Sequence, residues 1–243
     1  MKLTLSALLL SCISMASVAG DVHWEYSGKH GATHWGELSK EFSTCSSGVN
    51  QSPINITSTI ESDLPALTIN YQKSNVELVN NGHSIQANIK GDNTFTNDDG
   101  TFNLLQFHFH APSENTINGK SFPLEAHFVH ADKDGRLAVI GVMFEEGKEN
   151  KPLEKLWEKM PEQSKGKYTL ADMLQSLSLM PSSKDYYRFN GSLTTPPCSE
   201  GVRWFVLKQP IEASKAQINQ FRKVMGGDTN RPVQPVNARV ILQ

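Results

Sequence analysis

Three histidines in two apolar runs of the sequence have the spacing of metal ligands. His108 and His110 are separated by one phenylalanine in the first run, and His127 lies in the second. Because successive side chains of a β-strand alternate faces, His108 and His110 point the same way in a strand. Two such strands side by side would bring three neutral imidazoles together, a ligand set that suits zinc.

Each of these histidines needs a partner for its second ring nitrogen. Metal-bound histidines usually donate that N–H to a carboxylate, an amide oxygen or a carbonyl oxygen, which fixes the tautomer. Alternation places Glu125 on the face of His127 and Gln106 on the face of His108, so each can serve its neighbour. His110 has no such side chain in its run, and we expect a backbone carbonyl there.

The ligand set predicts a catalytic zinc site and not a structural one. Structural zinc sites are usually closed by four protein ligands, often thiolates, whereas three histidines leave the fourth position open for water. The alternative is that these histidines are ordinary core residues, because a histidine in a strand is more often a buried core residue than a ligand. The sequence lacks the His-Glu-x-x-His pattern of zinc proteases, so that type of metal site is not predicted.

The N-terminus has the form of a secretory signal peptide. A positive charge precedes a short apolar run that ends in small residues, and we expect cleavage after Ala19 or Gly20. The run is shorter than the about 20 apolar residues of a membrane span. We therefore expect a signal peptide over residues 1–20 and one periplasmic or secreted domain over 21–243. Lipidation of Cys12 is the alternative.

The composition excludes several classes of function. The formal net charge is −2 and no basic stripe is present, so neither a nucleic-acid partner nor a membrane-surface partner is predicted. No repeat, linker or low-complexity tract divides the chain. Two cysteines, Cys45 and Cys198, follow the signal peptide. In an oxidising compartment such a pair favours a disulfide, with two buried free thiols as the alternative.

Short alternating segments separated by turn sequences predict a mainly β (α+β) domain, with a mostly antiparallel sheet and short peripheral helices. The predicted strands are 67–71, 76–79, 84–89, 102–110, 124–130, 138–144, 203–208 and 238–242. Helices are predicted over 152–160, over 170–177 with Thr169 as its cap, and over 215–225 with Ser214 as its cap. The simplest interpretation is a single domain built on one β-sheet.

Short runs distributed over nearly the whole mature chain match one known family in sequence and in order. They are HWEYSG at 23–28, QSPINI at 51–56, NNGH at 80–83, QFHFH at 106–110, EAHFVH at 125–130, GSLTTPPC at 191–198 and NRPVQP at 230–235. With these runs the chain resembles the α-class carbonic anhydrases, of the exported bacterial type. The resemblance implies a large twisted central sheet, zinc at the base of a conical cleft, and cis peptides before Pro53 and Pro197.

The resemblance also implies the reaction, which is the reversible hydration of carbon dioxide to bicarbonate and a proton. The nucleophile would be hydroxide on zinc, oriented by Thr194, whose hydroxyl donates to an ionised Glu114. His83 matches the family's proton shuttle, and the ordinary histidine pKa of about 6.5 suits that task. Tyr26 and Asn81 would hold the connecting waters.

Carbon dioxide is small and apolar, so the resemblance implies a dry wall beside the nucleophile. The residues at the matching substrate positions are Val129, Val139, Leu193, Thr194, Thr195, Val202 and Trp204. For Val139 and Val202 the alternative is ordinary core packing. Strict alternation puts His83 and Gln86 on opposite faces, so a bulge or bend is expected if both line the cleft.

Two other functions remain compatible with these residues. One is a non-catalytic zinc-binding domain on the same fold, and the other is a zinc hydrolase that acts on esters. The presence of every expected ligand and proton-handling residue favours the lyase. The chain departs from many relatives at Gln86, Ala111 and Asn115, and none of these changes removes a ligand. The resemblance leaves the quaternary state open between a monomer and a homodimer.

Overall fold

The computed structural model describes residues 22–175 and 179–243, so the predicted signal peptide and Cys12 lie outside the described residues. The strands are β1 (Asn55–Ile56), β2 (Thr68–Asn70), β3 (Lys73–Asn80), β4 (Ile85–Ile89), β5 (Thr94–Asn97), β6 (Gly100–His110), β7 (Thr116–Ile117), β8 (Leu124–Ala131), β9 (Leu137–Glu146), β10 (Lys167–Gln175), β11 (Tyr186–Ser192), β12 (Glu200–Leu207) and β13 (Ile211–Ala213). The α-helices are α1 (Trp35–Leu38), α2 (Thr44–Ser47), α3 (Lys151–Trp157) and α4 (Lys215–Met225), and two 3₁₀ turns cover Gly28–His30 and Lys40–Phe42.

One large sheet organises the chain. Its strand order is β10-β3-β4-β6-β8-β9-β12-β11, and β2, β5 and β13 attach beside this path. All pairs in this sheet are antiparallel except those of β9 with β12 and with β13. The prediction of a mainly β fold with a mostly antiparallel central sheet is therefore confirmed.

The two faces of the sheet bury different side chains. Neighbouring residues of a strand point to opposite faces, so Phe128 joins one hydrophobic cluster and Val129 joins another. The larger cluster includes Trp157 of α3 and Phe221 of α4, which stack with ring centroids 5.9 Å apart. The smaller cluster includes Trp204 of β12 and faces the cleft described below. The helices thus cover one face and leave the other for the cleft.

Two of the predicted elements are wrong. Residues 170–175 of the segment 170–177, which was predicted as a helix, belong to strand β10, which pairs antiparallel with β3, and residues 176–177 lie outside the described residues. Backbone pairing at the edge of the sheet outweighs the helical preference of this leucine-rich stretch. The segment 238–242, predicted as a strand, makes only single bridges from Leu242 to Ile60 and Arg188. The Arg239 side chain donates to preceding carbonyl oxygens and holds a turn there instead.

The other two helices and several covalent features agree with the sequence analysis. The Ser214 side chain accepts from the backbone N–H of Gln217, and Gly226 ends α4 with a φ of 76°. The peptides before Pro53 and Pro197 are cis, and so is the unanticipated one before Pro112. A disulfide joins Cys45 to Cys198, which confirms the expected pair. Among the described residues, no helix is long and apolar enough to cross a membrane.

Candidate active site

Strands β6 and β8 bring His108, His110 and His127 together on the cleft face of the sheet. His108 lies directly opposite His127 in the antiparallel register, so the pairing itself sets the spacing of two imidazoles. The ring centroid of His110 lies 5.0 Å from that of His108 and 4.6 Å from that of His127. One nitrogen of each ring falls within 4.8 Å of the others, which is a geometry that can hold a metal ion.

His108 and His110 are oriented through their Nδ1 atoms. His108 Nδ1 lies 2.8 Å from Gln106 Oε1, and His110 Nδ1 lies 2.6 Å from the carbonyl oxygen of Thr229. The backbone acceptor expected for His110 therefore comes from a residue far along the chain. Both contacts leave the Nε2 atoms of the two rings for the centre of the group.

Glu125 orients His127 and is itself held by several donors. Its Oε1 atom lies 3.0 Å from His127 Nε2 and accepts from Asn115 Nδ2 at 2.9 Å. Its Oε2 atom accepts the backbone N–H groups of Glu114 and Asn115 at 2.8 and 3.0 Å. Burial works to raise the pKa of Glu125, but His127 and Asn115 outweigh it and lower that pKa overall. His127 Nδ1 is thereby left to face the other two rings.

The three imidazoles suit a metal ion chemically. Burial lowers the pKa of His108 well below its ordinary value and lowers the pKa of His110 to about 4, so both rings are neutral at neutral pH. His110 Nε2 is buried and has no hydrogen-bond partner, a costly arrangement for a polar atom. A zinc ion bound by the neutral rings would satisfy this atom, and three imidazole ligands are a known catalytic zinc set.

A cavity of about 240 Å³ opens above the histidines. It is lined by Trp24, Tyr26, Asn81, His83, Ser84, Gln86, Gln106, His108, His110, His127, Val129, Val139, Leu193, Thr194, Thr195 and Trp204. His110 and His127 are buried at its inner end, whereas Asn81 is exposed at its mouth. The structure therefore brings the three histidines, the expected apolar residues other than Val202 and the expected proton-path residues around one space.

The apolar side of this cavity is built by neighbouring strands. Val129 pairs with Val139 across β8 and β9, and Val139 pairs with Trp204 across β9 and β12. The three side chains lie in one row of the sheet and are almost fully buried, while Leu193 packs against their cluster from a loop. Val202 belongs to the same cluster but does not line the cavity, so its alternative interpretation as a core residue is the one the geometry supports.

Glu114 lies buried between the histidines and the loop of Thr194. Its Oε1 atom accepts the backbone N–H of Arg231 at 2.8 Å, and its Oε2 atom lies 3.4 Å from His110 Nε2. Burial raises the pKa of Glu114 to about 7, although His127, the Arg231 N–H and the Thr194 hydroxyl each lower it. A cation held by the histidines would favour the ionised carboxylate further.

Arg231 is a residue to which the sequence analysis gave no role. Its side chain is 1% exposed, and its guanidinium donates to Gln51 Oε1 and to the carbonyl oxygens of Ser52 and Cys45, all within 2.9 Å. Its backbone N–H holds Glu114, as described above. The sequence signal for Arg231 was its place in the run 230–235, but sequence alone does not distinguish such a buried arginine from a surface one.

The loop that carries Thr194 and Thr195 is anchored covalently. The carbonyl oxygen of Thr195 accepts the backbone N–H of Cys198 at 2.9 Å, and Cys198 forms the disulfide with Cys45. Thr194 is 5% exposed and so lies at the inner part of the cavity. The disulfide thus fixes one end of the loop that faces the histidines.

His83 lies at the mouth of the cavity, in the turn before β4. The side-chain oxygen of Asn81 accepts the backbone N–H of His83 at 2.9 Å. The imidazole stacks on Trp24 with ring centroids 3.6 Å apart and planes 10° apart. Burial lowers the pKa of His83 below its ordinary value, and neighbouring His23 lowers it further while Glu25 raises it. A half-buried histidine therefore faces both the cavity and the surface.

Tyr26 and Asn81, the other two residues expected on the proton path, also line the cavity. The hydroxyl of Tyr26 is buried without a hydrogen-bond partner, and burial raises the pKa of Tyr26 well above its ordinary value. Asn81 Nδ2 donates to Gln86 Oε1 at 3.3 Å. His83 lies in a bend before the strand that contains Gln86, so the expected bend, and not a bulge, lets both side chains line the cavity.

Comparisons with known proteins agree on one family. Residues 30–243 match the family described as eukaryotic-type carbonic anhydrase. A carbonic anhydrase of Pectobacterium atrosepticum is 48% identical over 236 residues, covering 97% of each chain. One of Neisseria gonorrhoeae is 47% identical and covers 98% of this chain and 95% of its own. The solved α-carbonic anhydrase of Thermovibrio ammonificans, in complex with the inhibitor sulfanilamide, superposes with a TM-score of 0.90 at 51% identity, covering 92% of this chain and 100% of that one.

Proposed function

This chain belongs to the α-class (eukaryotic-type) carbonic anhydrase family, and from that premise we propose that it hydrates carbon dioxide reversibly with a zinc ion on His108, His110 and His127. The observation that carries the proposal is the convergence of three imidazoles, among them His110 with a buried and unpartnered Nε2 atom, at the inner end of a cavity with an apolar side. Zinc bound there would lower the pKa of a water ligand to about 7, an effect for which carbonic anhydrases are themselves the well-known example.

The apolar row accepts the substrate. Val129, Val139 and Trp204 present carbon and no free charge to the cavity, so they accommodate carbon dioxide and disfavour ordered water beside it. Leu193 closes the same side from the loop. The product bicarbonate is charged and hydrated, and this side of the cavity therefore favours its departure.

Thr194 orients the attacking oxygen. With its hydroxyl proton directed to the Glu114 carboxylate, the Thr194 oxygen is left as an acceptor and selects the orientation in which the nucleophile donates to it. The backbone N–H of Thr194 can then donate to a substrate oxygen as negative charge develops. Glu114 must stay ionised for this polarity, and the Arg231 N–H supports that state.

His83 moves the proton between the cavity and the solvent. Its ring takes up the proton released on regeneration of the nucleophile and passes it to buffer outside. The polar groups of Tyr26 and Asn81 line the same cavity, where they can hold waters. Stacking on Trp24 keeps the His83 ring at the mouth.

We further propose that the protein acts outside the cytoplasm, in the periplasm or secreted. The Cys45–Cys198 disulfide is compatible with an oxidising compartment, and the predicted signal peptide supplies the route. No nucleic-acid partner is proposed, and a homodimer remains compatible with the family. Fractionation of cells, followed by detection of the mature chain, tests the compartment.

The test of the proposed function is stopped-flow carbon dioxide hydration before and after removal of the metal with a chelator. We expect rapid hydration that is lost on chelation and returns with added zinc. Zinc binding without any hydration would support the non-catalytic domain instead. Ester hydrolysis that exceeds hydration under the same conditions would support the zinc hydrolase.

A further inference from the structure

His23, Glu25 and His30 bring a second set of metal-ligand atoms together, at the mouth of the cleft. Each residue offers one nitrogen or carboxylate oxygen, and these atoms all lie within 4.8 Å of one another. His23 Nε2 lies 3.4 Å from Glu25 Oε1, and the rings of His23 and His30 are 5.6 Å apart and nearly perpendicular. We propose that these three side chains bind a second divalent transition-metal ion, with zinc as the ion tested below.

The backbone of this segment holds Glu25 and His30 in place. The N–H of Glu25 donates to the carbonyl oxygen of His30 at 2.9 Å, which closes the chain between them into a loop. The carbonyl oxygen of Glu25 accepts from Trp35 Nε1 at 2.8 Å, and Trp35 is fully buried. The loop is therefore anchored to the core, and ordering of the backbone is not a cost of ion binding.

The donor set fits a borderline metal ion. Two imidazoles and one carboxylate are ligands that zinc accepts, with water in the remaining position. Ligand atoms about 2.1 Å from a tetrahedral ion lie about 3.4 Å apart, and the His23–Glu25 pair already has a separation of 3.4 Å. The side chains of His23 and Glu25 are 68% and 52% exposed, so rotation of a ring completes the set without disturbing the core.

The location joins this site to the entrance of the cleft. His23 and Glu25 flank Trp24 in the chain, and the Trp24 ring stacks on His83. The side chains of His23, Glu25 and His83 also line one shallow surface cavity. The proposed ion therefore lies beside the entrance and away from the buried histidines. It is an independent site, and its existence does not rest on the proposed function.

The chain offers a matched control in the same segment. His34 Nδ1 lies 3.6 Å from Glu37 Oε2, and both side chains are exposed. This pair has the same chemistry as His23 and Glu25, but among the described residues no third ligand atom joins it. If zinc were simply attracted to an exposed histidine beside a glutamate, it would bind at both pairs. If three ligands are needed, zinc binds only at the pair of His23 and Glu25.

The test is calorimetric titration of zinc into the full mature protein that already carries one zinc per chain. We expect one further ion per chain at neutral pH. His30→Ala and His23→Ala should each weaken this second binding by at least about tenfold, and His34→Ala should leave it unchanged. The His30 carbonyl that closes the loop is backbone, so it survives the substitution, and circular dichroism verifies the fold of each variant.

Three results would overturn the proposal. The first is that the zinc-loaded protein takes up no second ion. The second is that the His34→Ala variant loses the second ion as strongly as the His30→Ala variant does. The third is that both His23→Ala and His30→Ala bind it as tightly as the unaltered chain. The first zinc and carbon dioxide hydration are measured on the same samples, so failure of the proposed function is recognised separately.

Discussion

Two histidines of β8, three positions apart, lie on opposite faces of the same sheet. His127 faces the cleft, where Glu125 lies 3.0 Å from its Nε2 atom and two other imidazoles are within ring contact. His130 faces the larger hydrophobic core, where its Nε2 atom lies 2.5 Å from the hydroxyl of Tyr71 and Phe95 packs edge-on against its ring. Both side chains are fully or almost fully buried.

The difference between them lies in what surrounds each ring, since burial is equal. Burial of His130 lowers its pKa to about 3, so that ring stays neutral, and its Nε2 atom is hydrogen-bonded to the Tyr71 hydroxyl. His127 has a carboxylate on one side and an open group of ring nitrogens on the other. A buried histidine therefore becomes a candidate ligand only when the sheet gives it both an orienting partner and converging neighbours.

Removal of the His127 ring should have the largest effect. We expect His127→Ala to lose zinc and to lower carbon dioxide hydration by at least about a thousandfold, because the pKa of water without the metal returns from about 7 to 15.7. His130→Gln, on the same strand, should keep one zinc per chain. Metal analysis and stopped-flow hydration check both variants. A His130→Gln protein without zinc would contradict the distinction between His127 and His130.

Thr194→Ala should have the next largest effect, without loss of the metal. We expect turnover to fall by about a hundredfold to a thousandfold, because the acceptor that orients the nucleophile is gone. Thr194→Ser keeps a hydroxyl and should recover most of the rate. Zinc content and turnover are measured together. Loss of zinc in Thr194→Ala would assign this residue to the structure of the cleft instead.

His83→Ala should slow turnover by roughly a hundredfold in weak buffer. The reason is that proton export then depends on buffer molecules that enter the cavity. Addition of imidazole should restore much of the rate, since it supplies the missing ring from solution. A rate that responds neither to the substitution nor to the buffer would remove His83 from the proton route.

The smallest effect concerns stability and belongs to His130. Its pKa is depressed in the folded chain, so the unfolded chain binds a proton that the folded chain does not. Stability from this group is complete above the ordinary value of about 6.5 and is lost as pH falls toward about 3, by a few kcal/mol at most. Urea unfolding of the metal-free protein should show a shallower decline with pH in His130→Gln. Equal slopes would contradict this assignment.

Strand alternation predicted the cleft face well. It related His108, His110 and His127 and matched Gln106 and Glu125 with the rings that they contact, because these are relations within a strand or between paired strands. It did not identify Thr229 as the acceptor for His110, nor Arg231 as a support of Glu114. Those contacts join segments 117 or more positions apart, and no local pattern encodes them.

The wrong elements share a similar cause. The stretch from Thr169 to Leu177 has helix-forming residues, yet its first part becomes a strand because β3 offers an unpaired edge. The short strand β5 was not predicted, since its two threonines, phenylalanine and asparagine form a strand only through pairing with β2 and β6. Local preference decides where the signal lies within one helical turn, as at the Ser214 cap of α4.

The Cys45–Cys198 disulfide makes the finished fold depend on when and where the two cysteines are joined. The two cysteines are separated by 153 positions, so the bond can close only after most of the chain has been made, and such bonds persist in oxidising compartments. Until then the loop of Thr194 lacks its covalent anchor. We expect the chain to be poorly active if retained where thiols are kept reduced, which would confine the production of bicarbonate and protons to the outside of the cell.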